Sequence, residues 1–321
     1  MNRTAFRRAA VPGIAALALA LTACGGSGGT DADVPEGLSG EIKIDGSSTV
    51  TPHTIPAAEL FFEATGGSVK VPVATSGTGG GFAKFCAGET DISMASRPIK
   101  QDEADICAAN GIEYVQLGIS NDGLAVAINN DNDWATCFTV DELNAFWADG
   151  STVSTWQDVN PEWPAEEVRL FGPGHDSGTF DFFTEVVNGE SGNINTGYTD
   201  IGEDDNAAIE GVAGSVGAMS FVPLSYVLES GGKVQAAAIE NSSGECVEPS
   251  LETVRDGSYE PLGRQLFIYP SGSALERDEV KAFIEFYVAN QEEIALEAKL
   301  IPLTDEQVAE VESRVAELTA S

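Results

Sequence analysis

The sequence predicts an α/β protein in which helices cover both faces of parallel sheets. Segments with the two-residue apolar repeat of a strand alternate along the chain with segments that carry the apolar period of a helix. Three turns rich in Gly, Ser and Thr each follow a predicted strand and precede a predicted helix. Alternating strands and helices form parallel sheets, so we expect these turns to meet at the carboxyl edge of the strands.

The 321-residue chain is strongly acidic, with a formal net charge of −35 and two histidines. Its length suggests two domains at roughly 150 residues each, and an apolar fraction of 42% is sufficient for a folded core. The charge argues against nucleic acid as a partner, because binding to a phosphate backbone needs patches of Lys and Arg. It also argues against electrostatic attraction to an anionic membrane surface. We expect a self-repelling monomer without a metal or other cofactor.

The first residues have the pattern of an export signal. Three arginines precede an apolar run from Ala9 to Leu21, which has the length of a secretory signal and is too short to span a bilayer comfortably. The run ends in Leu21-Thr22-Ala23-Cys24-Gly25, which resembles the lipobox of bacterial lipoproteins. We therefore expect a signal peptide over residues 1–23 and a lipid on Cys24. Residues 24–40 are then a flexible tether on the extracytoplasmic face of the cell membrane.

The four remaining cysteines predict two disulfides. An even number of cysteines in an exported chain is typical of disulfide bonding, and four cysteines allow three connectivities. We favour Cys86 with Cys107 and Cys137 with Cys246. A metal site is the alternative, but no Cys-x-x-Cys pair and no neighbouring His supports it.

The remaining chain is divided into predicted strands and helices. The strands are Glu41–Asp45, Val69–Ala74, Leu124–Asn129, Val168–Phe171, Ala218–Val222, Val234–Ile239 and Gln265–Tyr269. The helices are Ala57–Ala64, a short helix around Phe82 and Phe85, Gln101–Asn110, a helix from the Thr139/Glu142 capping box through Trp147, one carrying Phe180 to Val187, Val280–Asn290, and Asp305–Leu318 capped by Thr304.

The three strand-to-helix turns predict an anion site. They span residues 45–50, 76–82 and 172–180. The N-terminus of a helix presents unpaired N–H groups and a partial positive charge, which together favour an anion. Glycine permits close approach of the backbone, and Ser and Thr hydroxyls add donors. One such turn is usually only a helix cap, but three in equivalent topological positions are much stronger evidence for an anion site.

A cation accompanies these turns at Arg97, in the sequence Ala95-Ser96-Arg97-Pro98. Its planar guanidinium can hold a tetrahedral oxyanion through two hydrogen bonds. A surface ion pair is the alternative interpretation. Distant acids do not exclude anion binding, because exposed charges are screened beyond about 10 Å at 0.1 M salt.

With these motifs in this order, the chain resembles the phosphate-binding lipoproteins of bacterial high-affinity phosphate ABC transporters. The motifs are DGSSTV (45–50), SGTGGGF (76–82), ASRP (95–98) and GPGHDSGTFD (172–181). The resemblance implies a two-lobed periplasmic-binding-protein (type II) fold with two hinge crossings that closes on phosphate. Its partners would be inorganic phosphate and an ABC permease. We place lobe I at 41–123 and 257–321, and lobe II at 124–256.

The resemblance also implies which residues bind phosphate. They are Ser48, Thr49 and the Val50 N–H; Ser76; Ser96 and Arg97; and Ser177, Gly178 and Thr179. The best-known branch of the family has an Asp where Ser96 stands, and an Arg before the Ser-Gly-Thr that is missing here. We therefore expect Arg97 to supply the cation and Asp176 to accept the phosphate proton, with Asp181 and Asp45 as alternative acceptors.

Two other functions are alternatives. The same fold could bind sulfate, molybdate or a phosphonate. His175, Asp176 and Ser177 suggest a hydrolase, but three adjacent residues cannot form a Ser-His-Asp triad, and the chain has no Gly-x-Ser-x-Gly motif. The sequence therefore favours a binding protein over an enzyme such as a phosphatase, with His175 at the rim of the site.

Overall fold

The computed structural model describes residues 34–175, 177–202 and 204–319, without the side chains of residues 318 and 319. The predicted signal peptide, Cys24 and most of the predicted tether lie outside the described residues, as does Asp176. Among the described residues no helix has the length and apolar character that a membrane span requires.

Thirteen strands form in the described part of the chain. They are β1 (Gly40–Glu41), β2 (Ile44–Gly46), β3 (Val69–Lys70), β4 (Val73–Thr75), β5 (Ile92–Ala95), β6 (Leu117–Asn129), β7 (Cys137–Phe138), β8 (Arg169–Gly172), β9 (Thr199–Asp200), β10 (Ala218–Pro223), β11 (Val234–Glu240), β12 (Cys246–Val247) and β13 (Gly263–Pro270).

Eleven α-helices accompany these strands within the same described ranges. They are α1 (Thr51–Ala64), α2 (Gly77–Cys86), α3 (Gln101–Ala109), α4 (Val140–Trp147), α5 (Gly178–Asn188), α6 (Asp205–Ala213), α7 (Leu224–Glu229), α8 (Leu251–Arg255), α9 (Asp278–Ala289), α10 (Gln291–Glu297) and α11 (Asp305–Thr319). Short 3-10 helices lie at Trp156–Asp158 and Ala274–Glu276.

The large sheet is mixed, so the expectation of purely parallel sheets is wrong. Its strand order is β4-β2-β5-β13-β6-β10-β8-β9, and β11 pairs with the other edge of part of β6. β2 pairs in parallel with both β4 and β5, and β8 with both β9 and β10. In contrast, β13 is antiparallel to β5 and β6, and β6 is antiparallel to β10. The sheet is mixed because the long strands β6 and β13 pair antiparallel with the strands beside them, whereas parallel neighbours need a crossover connection.

Strand β6 is longer than the sequence predicts and connects two parts of the sheet. Its first half, Leu117–Gly123, pairs with β13, and its second half pairs with β10 and β11. The backbone N–H and carbonyl of Asn121 also bond with Ile301, at 2.7 and 2.8 Å. All thirteen residues of β6 are buried. Residues 120–122 are polar and their sequence is typical of a turn. They form part of a strand because β13 on one side and Ile301 on the other provide hydrogen-bond partners for their backbone groups.

Two large apolar clusters form the core. One contains the second half of β6 with residues of α4, α5, α6, β10 and β11, including the buried Trp147 and Trp156. The other contains residues of β2, α1, β5, the first half of β6, β13 and α9. A smaller cluster lies around Phe82, Phe85 and the disulfide between Cys86 and Cys107. The residue limits given above for the two lobes stay a prediction.

Several local predictions are confirmed. Both disulfides form with the favoured pairing, Cys86 with Cys107 and Cys137 with Cys246. Thr139 caps α4 by accepting a hydrogen bond from the Glu142 N–H at 3.1 Å. At α11, the Thr304 hydroxyl accepts from the backbone N–H three residues further on, at 3.2 Å.

Other segments differ from the prediction. The strand predicted over 41–45 is two strands, because β1 pairs with β3 in a small sheet of its own while β2 joins the large sheet. Residues 69–74 are divided in the same way, at Pro72, which has no N–H to donate. Helix α1 begins at Thr51 rather than at Ala57. The prediction from the sequence also omitted β5, α6, α7, α8 and α10, most of which are short.

Candidate functional site

A cleft of about 380 Å³ lies where the N-termini of α1, α2 and α5 approach one another. Ser48 and Thr49 before α1, Thr78 in the first turn of α2, and Gly178 at the start of α5 contribute to its walls. The first N–H groups of a helix lack carbonyl partners within the helix and give its N-terminus a partial positive charge; at α1 the Val50 and Thr51 N–H groups donate to the Ser47 carbonyl. The chain thereby brings three partial positive charges together in one cavity.

The turn before α1 is held against the sheet by its backbone. Gly46 packs so closely on β5 that a Cβ would lie 2.1 Å from the Met94 carbonyl oxygen, so no other residue fits there. The Ser47 N–H then donates to the same Met94 carbonyl at 3.0 Å. This anchoring leaves the half-buried side chains of Ser48 and Thr49 facing the cleft.

The second turn is fixed by a buried carboxylate. Asp45 accepts a hydrogen bond from the Ser76 hydroxyl at 2.8 Å and forms an ion pair with Lys84 of α2. Burial raises the pKa of Asp45, but the hydrogen bonds from Lys84 and Ser76 outweigh it and lower the pKa below the ordinary value. Asp45 therefore remains a carboxylate that positions the start of α2, and Ser76 uses its hydroxyl in that contact.

Ser96 and Thr78 form the next part of the wall. Their hydroxyls are 2.9 Å apart, and the Ser96 N–H donates to the Thr78 Oγ1 at 3.2 Å. Because a hydroxyl can both donate and accept, the pair can turn a proton toward an anion while keeping its mutual bond.

Helix α5 closes the cleft from the opposite side. A Cβ on Gly178 would lie 2.6 Å from the Thr49 nitrogen, so the two helix starts touch backbone to backbone. Two hydrogen bonds span the same contact: Thr49 donates to the Gly178 carbonyl and Ser48 donates to the Asp181 carboxylate, each at 3.2 Å. The starts of α1 and α5 are thus in direct contact.

The predicted cation, Arg97, lines the cleft but already has a strong partner. Its two terminal nitrogens each donate to Glu103 at 2.8 Å. The hydrogen bonds to Glu103 raise the pKa of Arg97 above its ordinary value. The fork of the guanidinium that would hold an anion is occupied by this carboxylate.

A second cation, Arg264, lies in the wall of the same cleft. Its guanidinium bonds the Asp122 carboxylate at 3.2 Å and donates to the Thr49 hydroxyl at 2.9 Å. It also stacks on the Phe182 ring, 3.4 Å from the ring centroid. Burial lowers the pKa of Arg264, while Asp122 acts in the opposite sense. A nearly buried cation held on three sides is well oriented toward the cavity.

The structure brings together five of the residues predicted from the sequence, and these line the cleft. They are Ser48, Thr49, Ser96, Arg97 and Gly178. The Val50 N–H instead donates to the Ser47 carbonyl at 3.2 Å. The Ser177 hydroxyl caps α5 by accepting from the Thr179 N–H at 3.2 Å, so these two residues bond each other. His175 is exposed and packs on the Phe180 ring, with centroids 4.4 Å apart.

Sequence reasoning missed Arg264, Asp122, Phe182 and Thr78. Thr78 lies within the recognised SGTGGGF turn and could have been included. Arg264 immediately precedes the predicted strand Gln265–Tyr269, and the scarcity of basic residues was the available signal. The described residues contain no group of three or more His, Cys, Asp or Glu side chains that could hold a metal ion.

Comparisons with known proteins agree on one family. Residues 31–291 match the model of the PBP superfamily domain. The chain is 39% identical over 281 residues to Protein SphX of Synechocystis, covering 87% of this chain and 83% of that protein. It is 34% identical over 301 residues to the phosphate-binding protein PstS of Staphylococcus saprophyticus, covering 94% and 91%.

Solved structures give the same result. A crystal structure of a possible phosphate binding protein from Planctomyces limnophilus superposes with a TM-score of 0.84 and 42% identity, over 88% of this chain and 99% of that one. An ABC-type phosphate transport receptor from Vibrio cholerae has a TM-score of 0.65 at 20% identity, over 81% and 99%, and supports the fold alone.

Proposed function

Because the chain belongs to the phosphate-binding proteins of the PBP superfamily, we propose that it captures inorganic phosphate in this cleft and delivers it to an ABC importer. The observation that carries the proposal is the convergence of three helix N-termini and Arg264 on one cleft. Such a site binds a small anion without relying on the field of the whole protein, which is strongly negative.

The chemistry of the walls suits a protonated, dehydrated tetrahedral oxyanion. N–H groups at the helix starts and the Ser96 hydroxyl donate to the oxygens of the anion. The hydroxyls of Ser48 and Thr49, which donate to Asp181 and Gly178 in the described arrangement, turn toward the anion when it binds. Arg264 supplies positive charge from one side, already oriented by Asp122 and Phe182. We propose Arg97 as a second cation in the site. It binds the anion directly only when its hydrogen bonds to Glu103 break.

A carboxylate in the cleft would distinguish phosphate from sulfate, because sulfate has no proton to donate at neutral pH. Asp176 is the acceptor proposed from the sequence. Asp181 is the described alternative, since it lines the cleft and already bonds the Ser48 hydroxyl. Asp45 is less suitable because it is not among the residues that line the cleft and is held by Ser76 and Lys84.

The proposed setting is the extracytoplasmic face of the cell membrane. The export signal in residues 1–23 and the lipobox cysteine, Cys24, support attachment through a lipid. The two disulfides are consistent with an oxidising compartment outside the cytoplasm. We propose that the protein acts as a monomer on its tether and binds its ligand without chemical turnover.

Isothermal titration with phosphate, arsenate and sulfate tests this function. We expect saturable binding of phosphate and arsenate at one site and much weaker binding of sulfate. Incubation with a chromogenic phosphate ester should release no product. Tight sulfate binding would instead identify a receptor for another oxyanion, and turnover of the ester would identify a phosphatase.

A further inference from the structure

The cleft is larger than one phosphate ion requires. At about 30 Å³ for a water molecule in the liquid, its volume of about 380 Å³ corresponds to roughly a dozen heavy atoms. An orthophosphate ion has far fewer. Shape alone therefore leaves room for a second phosphoryl group, and selection against condensed phosphates must come from another property of the cleft.

That property is the charge on the side formed by α5 and the turn after it. Asp181, Glu185 and Glu190 line the cleft there, and Asp181 and Glu185 are one helical turn apart. Asp181 is half-buried, whereas Glu185 and Glu190 are exposed at the mouth. The first turn of α5 thus favours an anion at the cleft floor, while the later part of the same segment presents carboxylates to anything that extends outward.

Both cations of the described cleft wall, Arg97 and Arg264, already have a carboxylate partner. Arg97 is bonded through both terminal nitrogens to Glu103, and Arg264 is bonded to Asp122. Glu185 lies within electrostatic range of both arginines. A second phosphoryl group at the mouth would therefore meet carboxylates whose nearest counter-charges are already paired.

From this arrangement, and resting on the function proposed above, we infer that Glu185 and Glu190 are specificity-determining residues that exclude condensed phosphates. Orthophosphate reaches only the helix starts and Arg264. Pyrophosphate would place its second group, with additional negative charge, beside the two glutamates. Repulsion between like charges then lowers its affinity even though the cavity has room for it.

Titration with orthophosphate and pyrophosphate tests the inference. The variant carries Glu185→Gln and Glu190→Gln together, which keeps the size and polarity of both side chains. A matched control carries Glu59→Gln and Glu63→Gln on the exposed side of α1, which makes the same change in net charge away from the cleft. We expect wild type to prefer orthophosphate strongly, and the cleft variant to reduce the ratio of the two affinities by about tenfold or more. The control should keep the wild-type ratio.

Salt supplies a second measurement. Raising the ionic strength screens exposed charges, so the preference should weaken with salt more in wild type than in the cleft variant. An affinity ratio that the cleft variant leaves unchanged, or equal binding of the two ligands by wild type, would overturn the inference alone. Failure of wild type to bind orthophosphate would overturn the proposed function as well.

Discussion

Arg264 offers the sharpest test of how the cleft holds its anion. Replacing Arg264 alone would leave Asp122 buried without its cation, and breaking a buried pair in this way typically costs about 3–5 kcal/mol of stability. The better perturbation is therefore Arg264→Met combined with Asp122→Asn, which removes both charges and keeps the side-chain volumes similar. The single variant Asp122→Asn is the matched control, because it retains the cation and an amide oxygen that can accept from it; this variant also breaks the charge pair, so it too is expected to lose stability.

The size of the effect follows from the contacts that Arg264 would make. A hydrogen bond to a charged group contributes about 1.5–3 kcal/mol. One such bond to phosphate corresponds to a loss of affinity of roughly ten- to 150-fold when it is removed. The stack on Phe182 and the bond to Thr49 hold the guanidinium in place before binding, so little of this energy is lost in ordering the side chain.

Isothermal titration with phosphate measures the affinities, and thermal unfolding shows that each variant is folded. We expect the double variant to lose at least tenfold in affinity. The Asp122→Asn control should bind at least as tightly as wild type, because the cation is released from its carboxylate. A folded double variant that binds phosphate within twofold of wild type would show that Arg264 is not the cation of the site, and Arg97→Ala would then be expected to lose at least tenfold.

Three further predictions concern closure, pH and the disulfides. Gly178→Ala places a Cβ 2.6 Å from the Thr49 nitrogen, which forces the starts of α1 and α5 apart, so titration should show weaker phosphate binding; an unchanged affinity would contradict this. Burial lowers the pKa of His53 from 6.5 to about 3; its contribution to stability is complete above pH 6.5 and falls by about 1.4 kcal/mol per pH unit below it. Denaturant unfolding from pH 7 to 4 should show this slope in wild type but not in His53→Gln, and an equal slope in both would contradict the assignment. Replacing Cys137 and Cys246 by Ser should lower the free energy of unfolding by about 2–5 kcal/mol, and an unchanged denaturation midpoint would contradict this.

The parts of the fold that the sequence predicts well are those decided by neighbouring residues. The capping boxes at Thr139 and Thr304 need side chains only three residues apart, and both form. The glycine-rich turns are also predictable from neighbouring residues, because each one determines where the helix that follows it begins. Spacing along the chain favours the two disulfide pairs, and the structure confirms both.

The parts that could not be predicted depend on residues far apart in the sequence. Residues 118–123 carry too little apolar character for a strand, and only the pairing with β13 makes them one. Arg264 and Asp122 are 142 residues apart and face each other as partners in that pairing. Neither residue lies in a local motif, so the scarcity of basic residues is the one sequence signal for Arg264, and its pairing with Asp122 depends on the register of the two strands.

The strand at residues 118–123 and the pair of Arg264 and Asp122 both depend on the pairing of β6 with β13. The same pairing links the anion site to the starts of α1 and α5. β6 contributes residues to both large apolar clusters and pairs with β13, and Arg264 and Asp122 are opposite each other on these two strands. From there Arg264 donates to Thr49, and Thr49 donates to the Gly178 carbonyl at the start of α5. An anion bound to Arg264 is therefore connected through hydrogen bonds to β6 and β13 and to the starts of α1 and α5. A ligand can shift an equilibrium between open and closed forms only by binding one of them better. Phe182 of α5 stacks on Arg264, so an opening that moved α5 away would remove a group that orients this cation.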